Sequence, residues 1–489
     1  MGFIIYSVLI VFGFLTLRVI QPYTTIQLKD LYIGWGFKIF ASAIFILIFS
    51  FYYSNGTIYG DAGNFLNDSL FLNEFAKTAP LEYLKLLIGF DIDESYFQSP
   101  PLSNTNIWSY GENGDLMNDN RLIIRINSII HFISFQNVYV HGLILSFLGL
   151  VGLIGIHQSF ISLIKNPQLF YYIILLFPPV LFWGSGITKE ALLLFGLGLY
   201  FSGLVAVLKK KNLSSIVLLL IGTAILLLNK PYVGLIVIAM SSFLFLGKYF
   251  GFNKALRLAI PLILVLVTYS LTIAPQPINL LEKISYKQRD LTNMGKGGVF
   301  FINDSAFCAF DYKYLDHFER QDEAKIKVLE DCEGEYKLFG ESNFYPFKIK
   351  SDQRLYDLYL IQPPSTSFIE TPLINYNRWA MVTSLPTVFL NTMVRPFPWD
   401  NGSNFKHVSF LCNIMLVGLL VFSLTNKRKL SNSEKFYNRF FIYTAIVIFI
   451  IIGWTTPILG AIVRYKMAAE LLLIIGCFIP LKELNYEKK

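Results

Sequence analysis

The sequence predicts an all-α polytopic membrane protein with about eleven transmembrane helices and two sizeable extracytoplasmic segments. Three observations carry that fold class. Hydrophobic residues make up 54% of the 489 positions and charged residues only 15%. The apolar residues gather in repeated runs of about 17–22, the length that crosses a hydrocarbon layer of about 30 Å. The runs are continuous rather than alternating, so they read as helices and not as strands of a membrane barrel. The net charge of +8 then points to the positive-inside bias of membrane proteins before it points to nucleic acid.

Taken in order, the expected spans are 3–20, 33–53, 138–163, 169–184, 191–208, 214–229, 233–247, 257–273, 405–425, 437–453 and 467–482. No basic stretch precedes the first and no small-residue cleavage site follows it, so it reads as a retained helix and not a signal peptide. Lys38 lies one turn inside the second span, where a long side chain can snorkel to the nearer surface. The fourth span is interrupted by Phe177-Pro178-Pro179 and ends at Trp183-Gly184-Ser185-Gly186. Near Pro386 an apolar stretch too short to span leads into Arg395-Pro396-Phe397-Pro398-Trp399-Asp400, as in a re-entrant or interfacial segment. Broken backbone at membrane depth survives only where protein or water satisfies it, which suggests a cavity.

Orientation follows from the cations beside the span ends. One side collects Arg18, Lys29, Lys165, Lys209-Lys210-Lys211, Lys248, Lys254, Arg257, Lys427-Arg428-Lys429, Lys435, Arg439, Lys482, Lys488 and Lys489. Few acids accompany them, so this side is cytoplasmic, with the N-terminus outside and the C-terminus inside a bacterial inner membrane. The chain divides into a transmembrane module (1–273, with an outer loop at 54–137), an extracytoplasmic segment (274–404) and a C-terminal transmembrane module (405–489).

In the first outer loop, Asn64–Leu87 carries Phe65, Leu66, Leu70, Phe71 and Phe75 at three- and four-residue spacing, the pattern of a surface helix. Leu122–Ile133 reads the same way, with Arg121 and Arg125 on its polar side. Ser99–Asn120 is rich in Ser, Asn, Gly and Pro and reads as irregular. The second outer segment is mixed: β-prone runs at Val299–Ile302, Tyr336–Phe339 and Phe344–Ile349, and a helical stretch at Phe318–Leu329. Cys308 and Cys332 both fall there. In an oxidising compartment they could pair, or remain two thiols. Cys412 and Cys477 lie within spans and read as packing residues.

Candidate chemistry sits in short loops on the outer side. Tyr59-Gly60-Asp61-Ala62-Gly63-Asn64 puts a carboxylate between glycines at the membrane boundary. Lys189, Lys230, Arg395, Arg464 and Lys466 stand at outer helix ends against the topogenic bias, and ionisable groups placed so are costly and usually functional. Such cations suit a phosphate-bearing ligand, with Arg binding as a fork and Lys as a point charge. The plainer readings are a snorkelling Lys230, a structural Lys189–Glu190 ion pair, and an Asp61 that bonds its own turn. Asp68, Asp115 and Asp119 are weaker candidates, since solvated acids are ordinary on polar loops and helix faces. His131, His141 and His157 lack ligand spacing and read as hydrogen-bonded structural residues. No cysteine–histidine cluster has metal spacing, so no metal ligands are assigned; a divalent cation stays open as a cofactor.

An acidic motif in the first large outer loop, two surface helices after it and many spans resemble the GT-C superfamily of membrane glycosyltransferases. Phe182–Glu190, Arg395–Trp399 and Gly460–Lys466 look like stretches in bacterial polytopic proteins grouped with that class. The resemblance implies transfer of a sugar from a polyprenyl-phosphate carrier to a glycan, lipid or protein acceptor outside the cell. Asp61 would match the catalytic acid, and Arg395, Arg464 and Lys189 the donor-phosphate contacts. Two departures stand out: the acidic loop follows the second span rather than the first, and no second acid sits beside Asp61. A polymerase, ligase or oligosaccharyltransferase using diphosphate-linked glycan is the nearest alternative. A lipid or glycan transporter, or a non-catalytic scaffold, is the alternative from another class.

Overall fold

The computed structural model describes residues 1–89, 95–96, 99–108, 118–209, 212–251, 279–322, 324–339, 341 and 343–484. The expected span at 257–273, Asp115, and the cations Lys210, Lys211, Lys254, Arg257, Lys488 and Lys489 lie outside the described residues.

Helices α1 (Gly2–Ile20) and α2 (Leu28–Leu47, continued by a π-helical turn to Tyr52) open the chain. The stretch between α2 and the next long apolar helix holds α3 (Asp61–Thr78), α4 (Pro80–Ile88) and α5 (Arg121–Ser134). The single surface helix expected over Asn64–Leu87 is therefore two. Pro80 cannot donate to a preceding turn but suits the first turn of a new one, so the chain breaks at Ala79. Next come α6 (Val138–Phe160), α7 (Pro167–Leu176), α8 (Pro178–Trp183), α9 (Lys189–Lys209), α10 (Leu213–Asn229) and α11 (Pro231–Phe250). The break between α7 and α8 falls at Pro178, as the sequence leads one to expect.

Among the described residues seven helical stretches are long and apolar enough to cross a membrane: Gly2–Tyr23, Leu28–Tyr52, Val138–Leu163, Lys189–Lys209, Pro231–Lys248, Phe405–Thr425 and Asn432–Thr455. The other expected crossings within the described residues are shorter or interrupted apolar helices, such as Leu213–Asn229 and Met467–Phe478. Helices α6 and α9 meet at their backbones: a Cβ on Gly152 would stand 2.2 Å from the Leu194 carbonyl oxygen. Small residues at such crossings let membrane helices gain dispersion contacts that lipid cannot match. Outward faces stay apolar, with Phe3, Val8, Phe12 and Val19 of α1 all exposed. A soluble protein rarely presents so large a patch, and lipid is the environment that suits it.

Lys38 does not snorkel. It is fully buried, and its Nζ donates to the Gly184 carbonyl oxygen at 2.8 Å. The break after α8 supplies that unpaired carbonyl, so the amine is held inside the bundle.

The segment expected to be extracytoplasmic carries a seven-stranded sheet. Helix α12 (Leu280–Lys296) precedes β1 (Gly298–Asn303), β2 (Ala306–Asp311), β3 (Phe318–Arg320), β4 (Lys325–Val328), β5 (Cys332–Leu338), β6 (Tyr345–Ile349) and β7 (Leu355–Gln362). The strands form one antiparallel sheet in the order β3-β4-β7-β1-β2-β5-β6. This sheet makes the chain more than all-α. The helix expected at Phe318–Leu329 is instead the β3–β4 hairpin, with Phe318 opposite Val328. Ile326 and Val328 are buried while Lys325 and Lys327 are not, which is a strand's period of two.

Cys308 and Cys332 are unpaired and buried in the sheet core. The register sets Cys308 opposite Tyr336 and Cys332 opposite Ile349, so the two do not face each other. Burial pushes both thiols up to about 12.

The chain returns through α13 (Arg378–Thr383), α14 (Leu385–Val394), α15 (Phe405–Thr425), α16 (Asn432–Thr455), α17 (Leu459–Tyr465) and α18 (Met467–Phe478). The sheet segment is tied to the bundle just before α17. The Ile369 amide donates to the Pro457 carbonyl at 2.8 Å, and the Leu459 amide to the Ser367 carbonyl at 2.9 Å.

Candidate functional site

Asp61 is the first residue of α3, and the backbone before it explains the glycines. Gly60 has φ +69° and ψ −151°, a conformation close to the region that only glycine adopts readily. A Cβ on Gly63 would stand 2.1 Å from the Ile58 carbonyl oxygen. The glycines thus shape the turn that presents Asp61. Tyr59 anchors the turn by donating its amide to the Phe49 carbonyl at 3.0 Å.

Opposite stands Arg464, near the end of α17. Its Nη1 donates to Asp61 Oδ2 at 2.6 Å and its Nε to Glu190 Oε2 at 2.9 Å. Lys230, in the turn between α10 and α11, donates to Glu190 Oε1 at 2.6 Å. Asp61, Arg464, Glu190 and Lys230 are therefore one connected ionic chain built from four distant parts of the sequence. Its burial is graded: the Glu190 side chain is 0% exposed, Lys230 2%, Arg464 12% and Asp61 55%. The chain thus runs from the protein interior to the surface at Asp61. Lys230 is paired and buried, not a solvated snorkelling group, and its Nζ also lies 4.5 Å from the Tyr465 ring centre. Trp183 sits under the Arg464 guanidinium, 5.8 Å away. Burial pulls the Arg464 guanidinium toward neutrality, but Glu190 and Asp61 outweigh that and hold it charged.

Lys189 does not pair with its neighbour Glu190. Residues one apart on a helix point in different directions. Lys189 instead reaches Asp119 Oδ1 at 2.8 Å and Asn120 Oδ1 at 3.0 Å, while the Asn229 amide donates to the Lys189 carbonyl at 2.7 Å. That contact places the Lys189–Asp119 pair beside the main chain of charges. Three buried polar atoms in this neighbourhood have no hydrogen-bond partner: Arg464 Nη2, Asn229 Oδ1 and the Tyr232 hydroxyl. Buried groups normally find partners, so orphans grouped with a guanidinium mark a place that a ligand or ordered water would complete.

Arg395 and Lys466 belong to a second cluster. Lys466 is 1% exposed, and its Nζ donates to Asn413 Oδ1 at 2.6 Å and to the carbonyls of Arg395 and Thr392 at 3.1 and 3.2 Å. Its three donors are thereby spent on tying the end of α14 to α15. Glu470, fully buried, stands 3.5 Å from the same amine. The Arg395 side chain is 30% exposed, lies over the Phe397 ring, and its Nε is 3.9 Å from Asp400 Oδ2.

Asp68 is not a solvated acid. It is fully buried and accepts from the amides of Asn106, Ile107 and Trp108, each at 2.8 Å. Burial pushes its carboxyl up while those amides pull it down. It shapes the loop that Arg121 and Arg125 cover by stacking on Trp108. The histidines are hydrogen-bonded: His141 to Asn127 Oδ1 and Ser134 Oγ, His131 to Ser69 Oγ, and His157 to the Pro167 carbonyl.

Sequence reasoning undervalued Glu190, which bridges two cations, and passed over Asn229, Tyr232 and Trp183. An acid in the first turn of a helix that is apolar after Lys189 was a signal for the first; the others became visible only through packing. Among the described residues no group of three His, Cys, Asp or Glu is placed to hold a metal ion. In comparison with known protein families, curated proteins and solved structures, this chain matches none of the family models, proteins or structures searched.

Proposed function

We propose that this protein is a membrane glycosyltransferase of GT-C type, moving a sugar from a polyprenyl-phosphate carrier to an acceptor on the outer face of a bacterial inner membrane. In this reading the chain crosses about eleven times, with its N-terminus outside and its C-terminus in the cytoplasm. The observation that carries the proposal is the Asp61–Arg464–Glu190 chain, a half-exposed acid joined to a buried, partly unsatisfied guanidinium.

The charges of the cluster balance: Asp61, Glu190 and Asp119 against Arg464, Lys230 and Lys189. An incoming phosphate therefore needs one carboxylate to let go. Glu190 is locked between two cations, whereas Asp61 is half exposed and free to turn. The phosphate takes the Arg464 fork and leaves Asp61 facing the acceptor. The acceptor hydroxyl oxygen bonds to the anomeric carbon as the bond from that carbon to the phosphate oxygen breaks. The hydroxyl proton goes to Asp61, and the negative charge that develops on the phosphate is held by Arg464 with Lys189 and Lys230 behind it. Lys466 supports the site from behind by holding the end of α14 and the Arg395 backbone against α15.

A second reading keeps the same chemistry with an oligosaccharide diphosphate donor, as in a polymerase or ligase. The hydrogen bonds that join the segment after the sheet to Pro457–Leu459 support it, because they give the stretch before Arg464 a large neighbouring surface on which an extended glycan could lie. Carrier-linked glycans extracted from cells lacking the protein test both: a monosaccharide carrier accumulates under the first reading and an oligosaccharide diphosphate under the second. An unchanged lipid profile overturns the enzyme reading. Asp61→Asn should abolish transfer while donor binding persists, and Arg464→Gln should lose donor binding.

A further inference from the structure

The opposite end of the bundle carries a groove that the proposed chemistry does not use. Helix α16 separates the two ends: 24 residues rise about 36 Å at 1.5 Å each. Its last residues lead to the Arg464 segment, and its first residues border the groove.

The groove has a volume of about 360 Å³ and lies between α15, α16 and the end of α18. Leu420 and Leu424 form one wall, Ile442 another, and Gly476 with Pro480 the floor. The polar side chains within it are turned to the backbone. Ser423 Oγ donates to the Cys477 carbonyl at 2.8 Å, and Asn438 Nδ2 to the Gly476 carbonyl at 2.7 Å. What remains is apolar, and it continues onto the exposed face of Leu411, Met415, Val421 and Leu424, which reads as lipid-facing.

The rim is cationic. Lys427, Lys429 and Lys435 line the mouth and are exposed, and none of them makes an ion pair among the described residues. No Asp or Glu lines the groove. Glu434, at the start of α16, is spent on Arg428 Nη2 at 2.7 Å and on the Ser431 amide at 2.8 Å. The basic run is also held in place. The Arg428 amide donates to the Pro480 carbonyl at 2.8 Å, and the Lys482 amide to the Asn426 carbonyl at 3.1 Å. Those bonds fix the backbone of the loop between α15 and α16 over the end of α18, so the lysines are anchored beside the groove.

We propose that this groove binds an anionic glycerophospholipid of the surrounding membrane, with one acyl chain along Leu420 and Ile442 and the phosphate among Lys427, Lys429 and Lys435. The charge complementarity selects the occupant. An uncharged chain would gain nothing from three unpaired amines, and a free phosphate would gain nothing from the apolar trough. Basic pockets between membrane helices recognise anionic lipid headgroups on these terms.

The full chain in detergent tests this by native mass spectrometry and thermal unfolding, with phosphatidylglycerol, phosphatidylcholine of the same acyl chains, and inorganic phosphate as separate probes. Phosphatidylglycerol should be retained and raise the unfolding temperature, and the other two should not. Replacing Lys427, Lys429 and Lys435 by Gln should weaken retention by about fivefold per lysine. Leu420→Trp keeps every charge and fills the trough; it should remove retention as well. Equal retention in Leu420→Trp, or an equal shift with inorganic phosphate, would reduce the site to surface attraction and overturn the proposal. Should Leu420→Trp fail to fold, the lysine variant, which alters only exposed side chains, decides alone: unchanged preference for phosphatidylglycerol overturns it.

Discussion

At the scale of single residues, the two acids that hold Arg464 are unequal. Glu190 is wholly enclosed and faces two cations, so Glu190→Ala strands both in a dry site and should destabilise the fold by about 3–5 kcal/mol. Asp61 is more than half exposed, and Asp61→Asn should change stability by less than about 1 kcal/mol, as for solvated pairs. Thermal or denaturant unfolding of the two variants in detergent checks the contrast; equal losses would mean that Asp61 is enclosed as Glu190 is. Gly60 carries a different constraint. Its backbone lies near the glycine-only region, so Gly60→Ala should cost about 1–3 kcal/mol and displace Asp61, lowering stability and activity together. The thiols offer a third measurement. Cys308 and Cys332 are buried with their titration pushed up to about 12, so the folded protein at pH 8 should resist alkylation and label at both sites once unfolded. Fast labelling of the native chain would show that the sheet opens.

At the scale of elements, local chemistry explains where most boundaries fall. Pro80, Pro178 and Pro231 each sit in the first turn of a helix, where the missing N–H costs nothing. The breaks at Pro178 and Pro231 were legible in the sequence, and so was the helix of Arg121–Ser134; the break at Pro80 was not, because the apolar spacing runs on across it. The hairpin at Phe318–Val328 was not, because a short apolar spacing of four residues fits a helix until its partner strand is known. Pairing across the sheet overrode the local pattern. The unpaired Cys308 and Cys332 follow from the same cause: sharing a segment does not make two cysteines face each other, and register does.

For the whole molecule, charge marks two ends. The Asp61–Arg464 cluster gathers the starts of α3, α9 and α11 with α17, while Lys427, Lys429 and Lys435 gather about 36 Å away along α16. Labelling intact cells with membrane-impermeant maleimide checks the expected orientation. Asn55→Cys, beside the Asp61 turn, should react from outside, and Lys429→Cys only after permeabilisation. The native cysteines are buried and should leave a low background. The reverse pattern would invert the topology, and reaction of both from outside would end the two-sided reading of the bundle.

Composition and the length of the apolar runs were enough to determine a helical membrane protein, because transfer of side chains into lipid depends on what the residues are and hardly on what they touch. The same sequence set Lys189, Lys230 and Arg464 apart as cations beside apolar helices, and Asp61 as an acid between glycines. Their partners were decided only by tertiary structure: Arg464 with Asp61, 403 positions away, Glu190 with Lys230 rather than with Lys189, and Lys466 with Asn413. Ion pairing acts over a few ångströms, and the distance between two charges in space is a property of the packed helices that carry them, which no local stretch of sequence contains.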